Sequence, residues 1–481
     1  MGELNRLTIA ELRGMLAKGE ISTMDIVEDL MEALDDDNKN PLPLNAYIEF
    51  NLEQVEEGIE RMRKIAPNPS ETLLGGVPVA VKDIINVLGS RTTCASEILK
   101  DYISPYDATA IIYMRRNGGV PAGKLNMDEF AMGSSNESSA FGLVRNPHNR
   151  KKIPGGSSGG AAAAVAAHLA IAALGSDTGG SIRQPASMCG VFGIKPTYGR
   201  VSRYGLVAYA SSLDQIGPIT KTVRDGALLL EAISGFDPLD STSAREEVPD
   251  FTSAIGGTVK GVKIGIPDEY FGEGLDNEVR VCVEDALKAL KEAGAEVKRI
   301  SLKYTKYAIA TYYIIATAEA SSNLARYDGI RYGRRFVDTR DLISLYKENR
   351  SRGFGREVKR RILLGTFALS SGYYDAYYLK AQKVRTLIQE DFMNAFREVD
   401  LIATPVSPVP AWDIGKLEDD PLQMYLSDIY TVPANLAGLP AASGRCGKTA
   451  SGLPVGLQLI AGHFRESDIF KAASIVEECS G

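Results

Sequence analysis

Glycine is concentrated in one fifth of this chain, and that concentration most restricts how the chain can fold. Of the 47 glycines in 481 residues, 17 lie between Gly118 and Gly217. The same stretch carries the apolar run Ala161–Leu174, which argues against a flexible linker. Glycines beside apolar elements indicate backbone with positive φ, or backbone that lies close to a ligand. We therefore expect functional loops in this stretch.

Composition restricts the class of protein. With 44% hydrophobic and 24% charged residues, the chain is typical of an ordered globular protein. Its formal net charge of −7 disfavours direct, tight nucleic-acid binding, which usually requires a basic face. The apolar run Ala161–Gly175 is shorter than the ~20 residues that span a bilayer. Met1–Arg6 holds charges and no apolar segment, so we expect no signal peptide.

The cysteines number five and include no Cys-x-x-Cys pair, so they predict neither a disulfide framework nor a zinc site. We expect a chain of the reducing cytoplasm without a metal centre. Cys189 lies among glycine-rich turns and is a candidate nucleophile. A small buried side chain is the more common role for such a cysteine.

Helix and strand patterns alternate along the chain. Residue spacing predicts helices at Thr8–Ala33, Leu52–Ile65, Ala108–Asn117, Ala161–Ala173, Thr222–Ser234 and Asp276–Ala293, and a loop at Asp35–Leu44. Short apolar runs predict strands at Gly75–Asp83, Gly119–Lys124, Val191–Ile194, Val262–Ile266 and Ala295–Ile300. This alternation predicts an α/β fold with a mixed sheet. Gly235–Lys260 is the best candidate boundary, but Asp276–Gly481 has no chemical motif of its own, so we expect one large domain.

The loop Ile153-Pro-Gly-Gly-Ser-Ser-Gly-Gly-Ala161 runs directly into the predicted alanine helix and has two interpretations. A glycine-rich loop at a helix N-terminus can bind phosphate through backbone N–H groups. A P-loop, however, needs Lys-Ser/Thr after its last glycine, whereas Ala161 follows Gly160 here. The sequence therefore disfavours a phosphate site.

A second loop, Gly175-Ser-Asp-Thr-Gly-Gly-Ser-Ile-Arg-Gln-Pro-Ala186, carries the candidate nucleophile Ser181. The two preceding glycines would leave its Oγ on a tight turn beside unshielded N–H groups, as acyl transfer requires. Asp177 and Arg183 are close enough in sequence to brace this loop. The competing interpretation is a serine that caps a helix.

A serine nucleophile needs a base. None of the three histidines has a setting that looks catalytic: His148 is in a turn, His168 in the predicted alanine helix and His463 near the C-terminus. Lys82 ends a predicted strand, and burial there would lower its pKa enough to make a base. A solvent-exposed lysine paired with Asp83 is the alternative, and the strand alone favours it.

Together these motifs resemble the amidase signature family. They are Val79-Ala-Val-Lys-Asp83, Gly155-Gly-Ser-Ser-Gly-Gly160 and Asp177-Thr-Gly-Gly-Ser-Ile-Arg-Gln-Pro185, and their spacing also matches the family. The resemblance covers essentially the whole chain and implies a single domain, with a mixed β-sheet core covered by helices on both faces. It assigns 1–70 to an N-terminal helical part, 71–235 to the catalytic core and 261–481 to the rest of the sheet and the substrate side.

The resemblance also implies a triad of Lys82, Ser157 and Ser181. Ser181 would attack an amide carbon. Ser157, after a cis peptide bond, would relay the proton to neutral Lys82. The oxyanion would be held by backbone N–H groups of Thr178, Gly179, Gly180 and Ser181. The chain departs from the family at Ala161, where serine is usual, and at His148-Asn149, where Trp-Asp is usual.

Lys124–Ser139, Tyr327–Gly333 and Gly365–Tyr378 resemble one branch of the family, the glutaminase subunits of tRNA-dependent amidotransferases. That likeness implies glutamine as substrate. The side chains implied to bind it are Tyr312, an arginine for the α-carboxylate and Asp428 for the α-ammonium. We align the arginine to Arg361, with Arg360 as the alternative.

The same resemblance implies partners, the B and C subunits of such an amidotransferase. In that branch, the B subunit receives the ammonia and uses ATP and Mg²⁺ to convert glutamyl-tRNA(Gln) into glutaminyl-tRNA(Gln), and the C subunit wraps around the glutaminase. We therefore expect a heterotrimer, no cofactor in this chain, and tRNA bound mainly by the partner. The acceptor stays open between glutamyl-tRNA(Gln), aspartyl-tRNA(Asn) or both.

Two other functions stay open from the sequence. One is a stand-alone amidase for small or aryl amides, which would not need Arg361 and Asp428. The other is a non-enzymatic phosphate- or nucleotide-binding protein that uses the Gly155–Gly160 loop, against which the missing Lys-Ser/Thr argues.

Overall fold

The computed structural model describes residues 3–337, 341–417 and 420–479. The predicted helix Thr8–Ala33 is two helices, α1 (Ile9–Lys18) and α2 (Thr23–Asn38), each opened by a capping box at Thr8 or Ser22. The loop predicted from Asp35 is wrong at its start, since α2 continues to Asn38. The third helix, α3 (Leu52–Ile65), has the predicted bounds.

Eleven strands in the described ranges form one mixed sheet, which confirms the predicted α/β class. They are β1 (Tyr47–Glu49), β2 (Pro78–Lys82), β3 (Val120–Leu125), β4 (Ala172–Asp177), β5 (Phe192–Lys195), β6 (Gln215–Thr220), β7 (Lys263–Pro267), β8 (Glu296–Ile300), β9 (Leu401–Pro405), β10 (Ala441–Lys448) and β11 (Pro454–Ala461). Their order is β1-β3-β2-β4-β6-β5-β10-β11-β9-β7-β8. The sheet continues across the candidate boundary Gly235–Lys260, because β5 pairs with β10.

Helices flank this sheet. After α3 they are α4 (Thr109–Arg116), α5 (Gly159–Ala166), α6 (Arg183–Cys189), α7 (Val223–Ile233), α8 (Asn277–Glu292), α9 (Ala308–Asn323), α10 (Leu342–Gly353), α11 (Arg356–Ala368), α12 (Lys380–Ala395), α13 (Pro421–Leu426), α14 (Val432–Leu436) and α15 (Glu466–Cys479). In the part of the chain that the structure describes, none of the helices is both long and apolar enough to cross a membrane.

Alternate residues of the central strands pack into different apolar clusters. Val79 and Val81 join the larger cluster with α4 and α7, whereas Ala80 joins the cluster that contains Ala161–Val165 of α5. Successive strand residues point to opposite faces of a sheet, so both faces are covered here. Lys82 has the strand parity of Ala80, which places it on the α5 side.

The predicted helix Ala161–Ala173 is wrong in its second half. The helix α5 ends at Ala166, His168 follows with φ 59°, and Ala172 begins β4. Because β4 is buried at every position, it lacks the polar alternation that marks a half-exposed strand. His168 therefore lies after the helix rather than inside it, and it is half-buried.

Candidate active site

Two neighbouring strands bring the first site residues together. β2 and β4 run parallel and pair through Ala80 and Ala173, so their carboxyl ends, at Lys82 and Asp177, meet at one edge of the sheet. Lys82 is fully buried there, so the interpretation as an exposed lysine is wrong. Asp83 pairs instead with Lys124, at 3.5 Å.

Three hydroxyl groups surround the Lys82 amine. Its Nζ lies 2.7 Å from Ser157 Oγ, 2.8 Å from Ser158 Oγ and 3.0 Å from Ser176 Oγ. Burial lowers the pKa of Lys82 to about 7, although nearby carboxylates, Asp128 foremost, oppose that shift. A large fraction of the amine is therefore neutral near pH 7 and able to accept a proton.

The first glycine-rich loop holds Ser157 against this amine. The Gly156–Ser157 peptide bond is cis. Gly156 N–H donates to Gln184 Oε1 at 2.9 Å, and Asp128 N–H donates to the Ser157 carbonyl at 3.2 Å. A Cβ at Gly156 would lie 2.8 Å from Ser135 N and closer still to the Asp128 carboxylate. Only glycine fits, because other groups of the protein pack directly against its Cα.

The same loop does not present a phosphate cradle. Three of its N–H groups already donate within the protein, at 2.9 to 3.1 Å: Gly156 to Gln184, Ser158 to the Ser181 carbonyl and Gly160 to Asn136. Phosphate binding at a helix N-terminus depends on free N–H groups. The geometry therefore argues against the phosphate interpretation.

The second loop connects β4 to α6 and is held by a buried ion pair. Asp177 and Arg183 make two hydrogen bonds of 3.0 Å, Nε to Oδ2 and Nη2 to Oδ1. Burial opposes the charged form of Asp177, but the Arg183 charge and hydrogen bonds outweigh it and hold the carboxyl pKa well below its usual range. The predicted brace is present. Ser181 precedes the helix cap, Ile182, so it is not the capping residue.

The backbone N–H groups around Ser181 are not equally available. Gly180 N–H donates to Asp177 Oδ1 at 2.9 Å, so Gly180 does not fit the predicted oxyanion-hole role. Thr178 is anchored by its Oγ1, which donates to Asp214 at 2.6 Å. The Gly179 carbonyl accepts a hydrogen bond from Thr431 Oγ1 at 2.7 Å. Thr178, Gly179 and Ser181 remain the candidate donors of an oxyanion hole.

The predicted substrate residues come from three distant parts of the chain. Tyr312 of α9 packs on Gly179, where a Cβ would lie 2.7 Å from its hydroxyl oxygen. Asp428 accepts hydrogen bonds from Ser134 Oγ at 2.5 Å and from Gln184 Nε2 at 3.2 Å. Burial raises the pKa of Asp428 to about 7. Because Gln184 also binds Gly156, one amide links Asp428 to the Ser157 loop.

The two candidate arginines have different environments. Arg361 is buried, and its charge acts on the Asp428 carboxyl, which favours the ionised form. The Arg360 side chain is 29% exposed. It lines a neighbouring cavity of about 420 Å³ that also contains Asp128 and Gly133. Arg361 is therefore the arginine whose charge acts on Asp428, whereas Arg360 lines the neighbouring cavity.

Four polar groups beside the triad were not predicted. Gln184 lies inside the quoted Asp177–Pro185 motif, Ser158 inside the first loop and Ser176 inside the second, so all three stand in motifs that the sequence shows. The contact between Asp128 and the Ser157 carbonyl, by contrast, has no local sequence signal.

The alternative nucleophile and bases are placed elsewhere. His148 and His463 contact the carbonyls of Cys189 and Ala437 at 2.8 and 3.1 Å. Burial raises the pKa of the Cys189 thiol well above its usual value, which makes it a poor nucleophile. Within the described ranges, no group of three or more His, Cys, Asp or Glu side chains is arranged to hold a metal ion.

Comparisons with known proteins agree with this geometry. A family model described as Amidase matches residues 26–470. The chain is 55% identical over 477 residues to the A subunit of glutamyl-tRNA(Gln) amidotransferase from Geotalea daltonii, with 99% of this chain and 98% of that one covered. It is 56% identical over 476 residues to the protein of the same name in Thermodesulfovibrio yellowstonii, with 99% and 98% covered.

Solved structures show the same fold. The crystal structure of the A subunit of glutamyl-tRNA(Gln) amidotransferase from Thermotoga maritima matches with a TM-score of 0.81 and 46% identity, and covers 100% of this chain and 96% of that one. A bacterial aryl acylamidase of the amidase signature enzymes matches with a TM-score of 0.84 and 26% identity, over 98% and 96%. An amidotransferase A subunit and an aryl acylamidase thus share this architecture.

Proposed function

The chain belongs to the amidase signature family, and on that premise we propose that it is the glutaminase subunit of a tRNA-dependent amidotransferase. It hydrolyses glutamine to glutamate and ammonia through an acyl-Ser181 intermediate. The relatives that are 55% and 56% identical over nearly their full length support this assignment over a general amidase.

Acylation begins with a proton relay. Neutral Lys82 Nζ accepts the proton of Ser157 Oγ, and Ser157 accepts the proton of Ser181 as its Oγ attacks the side-chain amide carbon of glutamine. The carbonyl oxygen becomes an oxyanion, which the N–H groups of Thr178, Gly179 and Ser181 stabilise. The relay then returns a proton to the leaving nitrogen, and ammonia departs.

Deacylation reverses the relay with water as the nucleophile. Water attacks the glutamyl ester on Ser181, and its proton passes through Ser157 to Lys82. Ser181 Oγ is reprotonated as glutamate leaves, which restores the starting state. Each half-reaction uses Lys82 first as base and then, through Ser157, as acid.

Glutamine is recognised by charge at its amino-acid end. We assign its α-carboxylate to Arg361 and its α-ammonium to Asp428, with Tyr312 in contact beside the nucleophile loop. The buried position of Arg361 and its electrostatic action on Asp428 support this pairing. A simple amide lacks both charged groups, so these residues would select glutamine.

The ammonia is passed to a partner, the B subunit, which uses ATP and Mg²⁺ to convert glutamyl-tRNA(Gln) into glutaminyl-tRNA(Gln). We propose that the C subunit completes a cytoplasmic heterotrimer. The relatives are named as subunits, which supports a partner for this chain. The net charge of −7 supports tRNA binding mainly by that partner.

The observation that carries the proposal is the 2.7 Å contact between Lys82 Nζ and Ser157 Oγ in a fully buried site. The test is a glutaminase assay of this chain, alone and with the B and C subunits, beside a Ser181→Ala variant. Activity that Ser181→Ala abolishes supports the proposal. Full glutamine hydrolysis by Ser181→Ala would refute the mechanism.

The likeness to an aryl acylamidase supports a second candidate, a stand-alone amidase for small or aryl amides. The first candidate needs Arg361 and Asp428 to bind glutamine, whereas a stand-alone amidase does not need them. If glutamine is inert while simple amides turn over, the second candidate replaces the first.

A further inference from the structure

A buried carboxylate outside the triad binds the arginine that we assign to the substrate. Glu357 lies one helical turn before Arg361 on α11, and only 10% of its side chain is exposed. Its Oε1 accepts hydrogen bonds from Arg361 Nε and from the Tyr425 hydroxyl, both at 2.8 Å. Its Oε2 accepts from Arg360 Nη1 at 2.5 Å. One carboxylate therefore joins two guanidinium groups and a phenol.

Aromatic rings enclose the same guanidinium. Arg361 Nη1 donates to the Tyr209 hydroxyl at 2.8 Å. Its Cζ lies 5.2 Å from the ring centroid of Tyr313 and 5.4 Å from that of Tyr425, and these two rings stack at 3.9 Å. Among the residues that the structure describes, none accepts a hydrogen bond from Nη2. The hydrogen bonds of Nε and Nη1 fix the guanidinium plane, and Nη2 is the nitrogen left for a ligand.

Charge balance favours an anionic ligand at Nη2. Two arginines share one glutamate, so the cluster of Glu357, Arg360 and Arg361 keeps a net positive charge. A guanidinium binds a carboxylate best when its planar fork is held in one orientation. Glu357 supplies that restraint through Nε, which lies on the same edge of the guanidinium as Nη2.

We propose that Glu357 is a positioning residue for glutamine, which orients Arg361 so that Nη2 meets the substrate α-carboxylate. This inference rests on the proposed function. Glu357 acts through Arg361 and does not touch the reacting atoms, so its loss should weaken binding and leave the chemical step unchanged. Only ligands that carry an α-carboxylate should respond.

The test compares Glu357→Ala and Glu357→Gln with the wild-type chain in complex with its partner subunits. We expect Glu357→Ala to raise the KM for glutamine about tenfold, with kcat within about twofold, because a charge-assisted contact is lost in the ground and transition states alike. Glu357→Gln keeps a hydrogen-bond acceptor without the charge, so its KM should be intermediate.

Binding measurements on a Ser181→Ala background separate positioning from general damage. Glu357→Ala should weaken glutamine and leave the affinity for L-glutaminamide, in which an amide replaces the α-carboxylate, within about twofold. Glu348→Gln is the matched control, because Glu348 forms the same type of pair with Arg352 on α10, with about half of each side chain exposed. It should change neither KM nor melting temperature.

The outcomes separate failure of the positioning role of Glu357 from failure of the proposed glutaminase function. An unchanged or lower KM in Glu357→Ala, or equal weakening of glutamine and L-glutaminamide, overturns the positioning role alone. If Glu357→Ala does not fold, the same comparison on Glu357→Gln decides. If the wild-type complex does not hydrolyse glutamine at all, the proposed function fails and this inference fails with it.

Discussion

Lys82 Nζ lies 2.7 Å from Ser157 Oγ, although 75 residues separate the two along the chain. Both side chains are fully buried, and burial lowers the pKa of the lysine to about 7. Neither motif alone creates a base, since a lysine at the end of a strand is ordinarily charged. The packing of the Ser157 loop over the edge of β2 and β4 buries this lysine and lowers its pKa, as the proposed proton relay requires.

The rate of glutamine hydrolysis should therefore follow the titration of Lys82. Because its pKa is lowered from 10.5 to about 7, the amine is protonated and inactive below that pH and neutral above it. We expect kcat to rise with pH and to level off above about 7, as measured in a steady-state pH profile. A rise that continues to the ordinary lysine pKa near 10.5 would contradict this assignment.

Asp428 should control KM rather than kcat. Burial raises its pKa to about 7, so the carboxylate becomes neutral as pH falls below that value and no longer balances the substrate ammonium. The KM for glutamine should rise as pH falls, and Asp428→Asn should raise it about tenfold above pH 7 and progressively less below it, where the wild-type carboxyl is also neutral. Asp413→Asn is the control, because that carboxylate pairs with Lys152 and is 68% exposed. A kcat defect without a KM change in Asp428→Asn would refute the role.

Gly156 should not tolerate a side chain. A Cβ there would approach Ser135 N to 2.8 Å and the Asp128 carboxylate more closely still. Gly156→Ala should lower the free energy of unfolding by about 2 kcal/mol and remove activity. Gly14→Ala in α1 is the control, since nothing lies within 4 Å of its Cβ, and it should stabilise the protein by ~0.5 kcal/mol. Urea denaturation measures both, and equal stability of the two variants would contradict the argument.

The Asp177–Arg183 pair should be essential for stability. Both side chains are fully buried, so Asp177→Asn leaves the Arg183 guanidinium without a counter-charge. We expect the free energy of unfolding to fall by about 3–5 kcal/mol, as is typical when one partner of a buried pair is removed. Glu292→Gln removes a partner from the exposed pair with Lys288 and should change stability by less than about 0.5 kcal/mol. Similar changes in the free energy of unfolding for the two substitutions would contradict a stabilising role of the Asp177–Arg183 pair.

Elements with a strong local signal could be predicted from the sequence. Amphipathic spacing located α3, and the alternation of Val77, Val79 and Val81 located β2. The prediction failed in the second half of Ala161–Ala173, because the turn after α5 and the start of β4 continue the run of alanine and other apolar residues. Periodicity cannot distinguish a buried helix from a buried strand when no position faces water.

The motifs of the site could be predicted from the sequence, but the contacts that bring them together could not. Resemblance named Ser157, Ser181 and Lys82, but not the fact that Gln184 joins the first loop to Asp428, which is 244 residues away. Nor did it show that Gly180 N–H is taken by Asp177. Such contacts depend on tertiary packing, and residue order alone does not encode them visibly. The division of the domain into 1–70, 71–235 and 261–481 stays a prediction.

The central claim is that Ser181 is the nucleophile, and trapping its covalent intermediate tests it most directly. The wild-type complex is incubated with a glutamine-mimicking electrophile, digested and mapped by mass spectrometry, beside Ser181→Ala. The account predicts a single adduct on the peptide that carries Ser181, absent from the variant and reduced by excess glutamine. An adduct on Ser157, Ser176 or Cys189, or labelling that persists in Ser181→Ala, would contradict it.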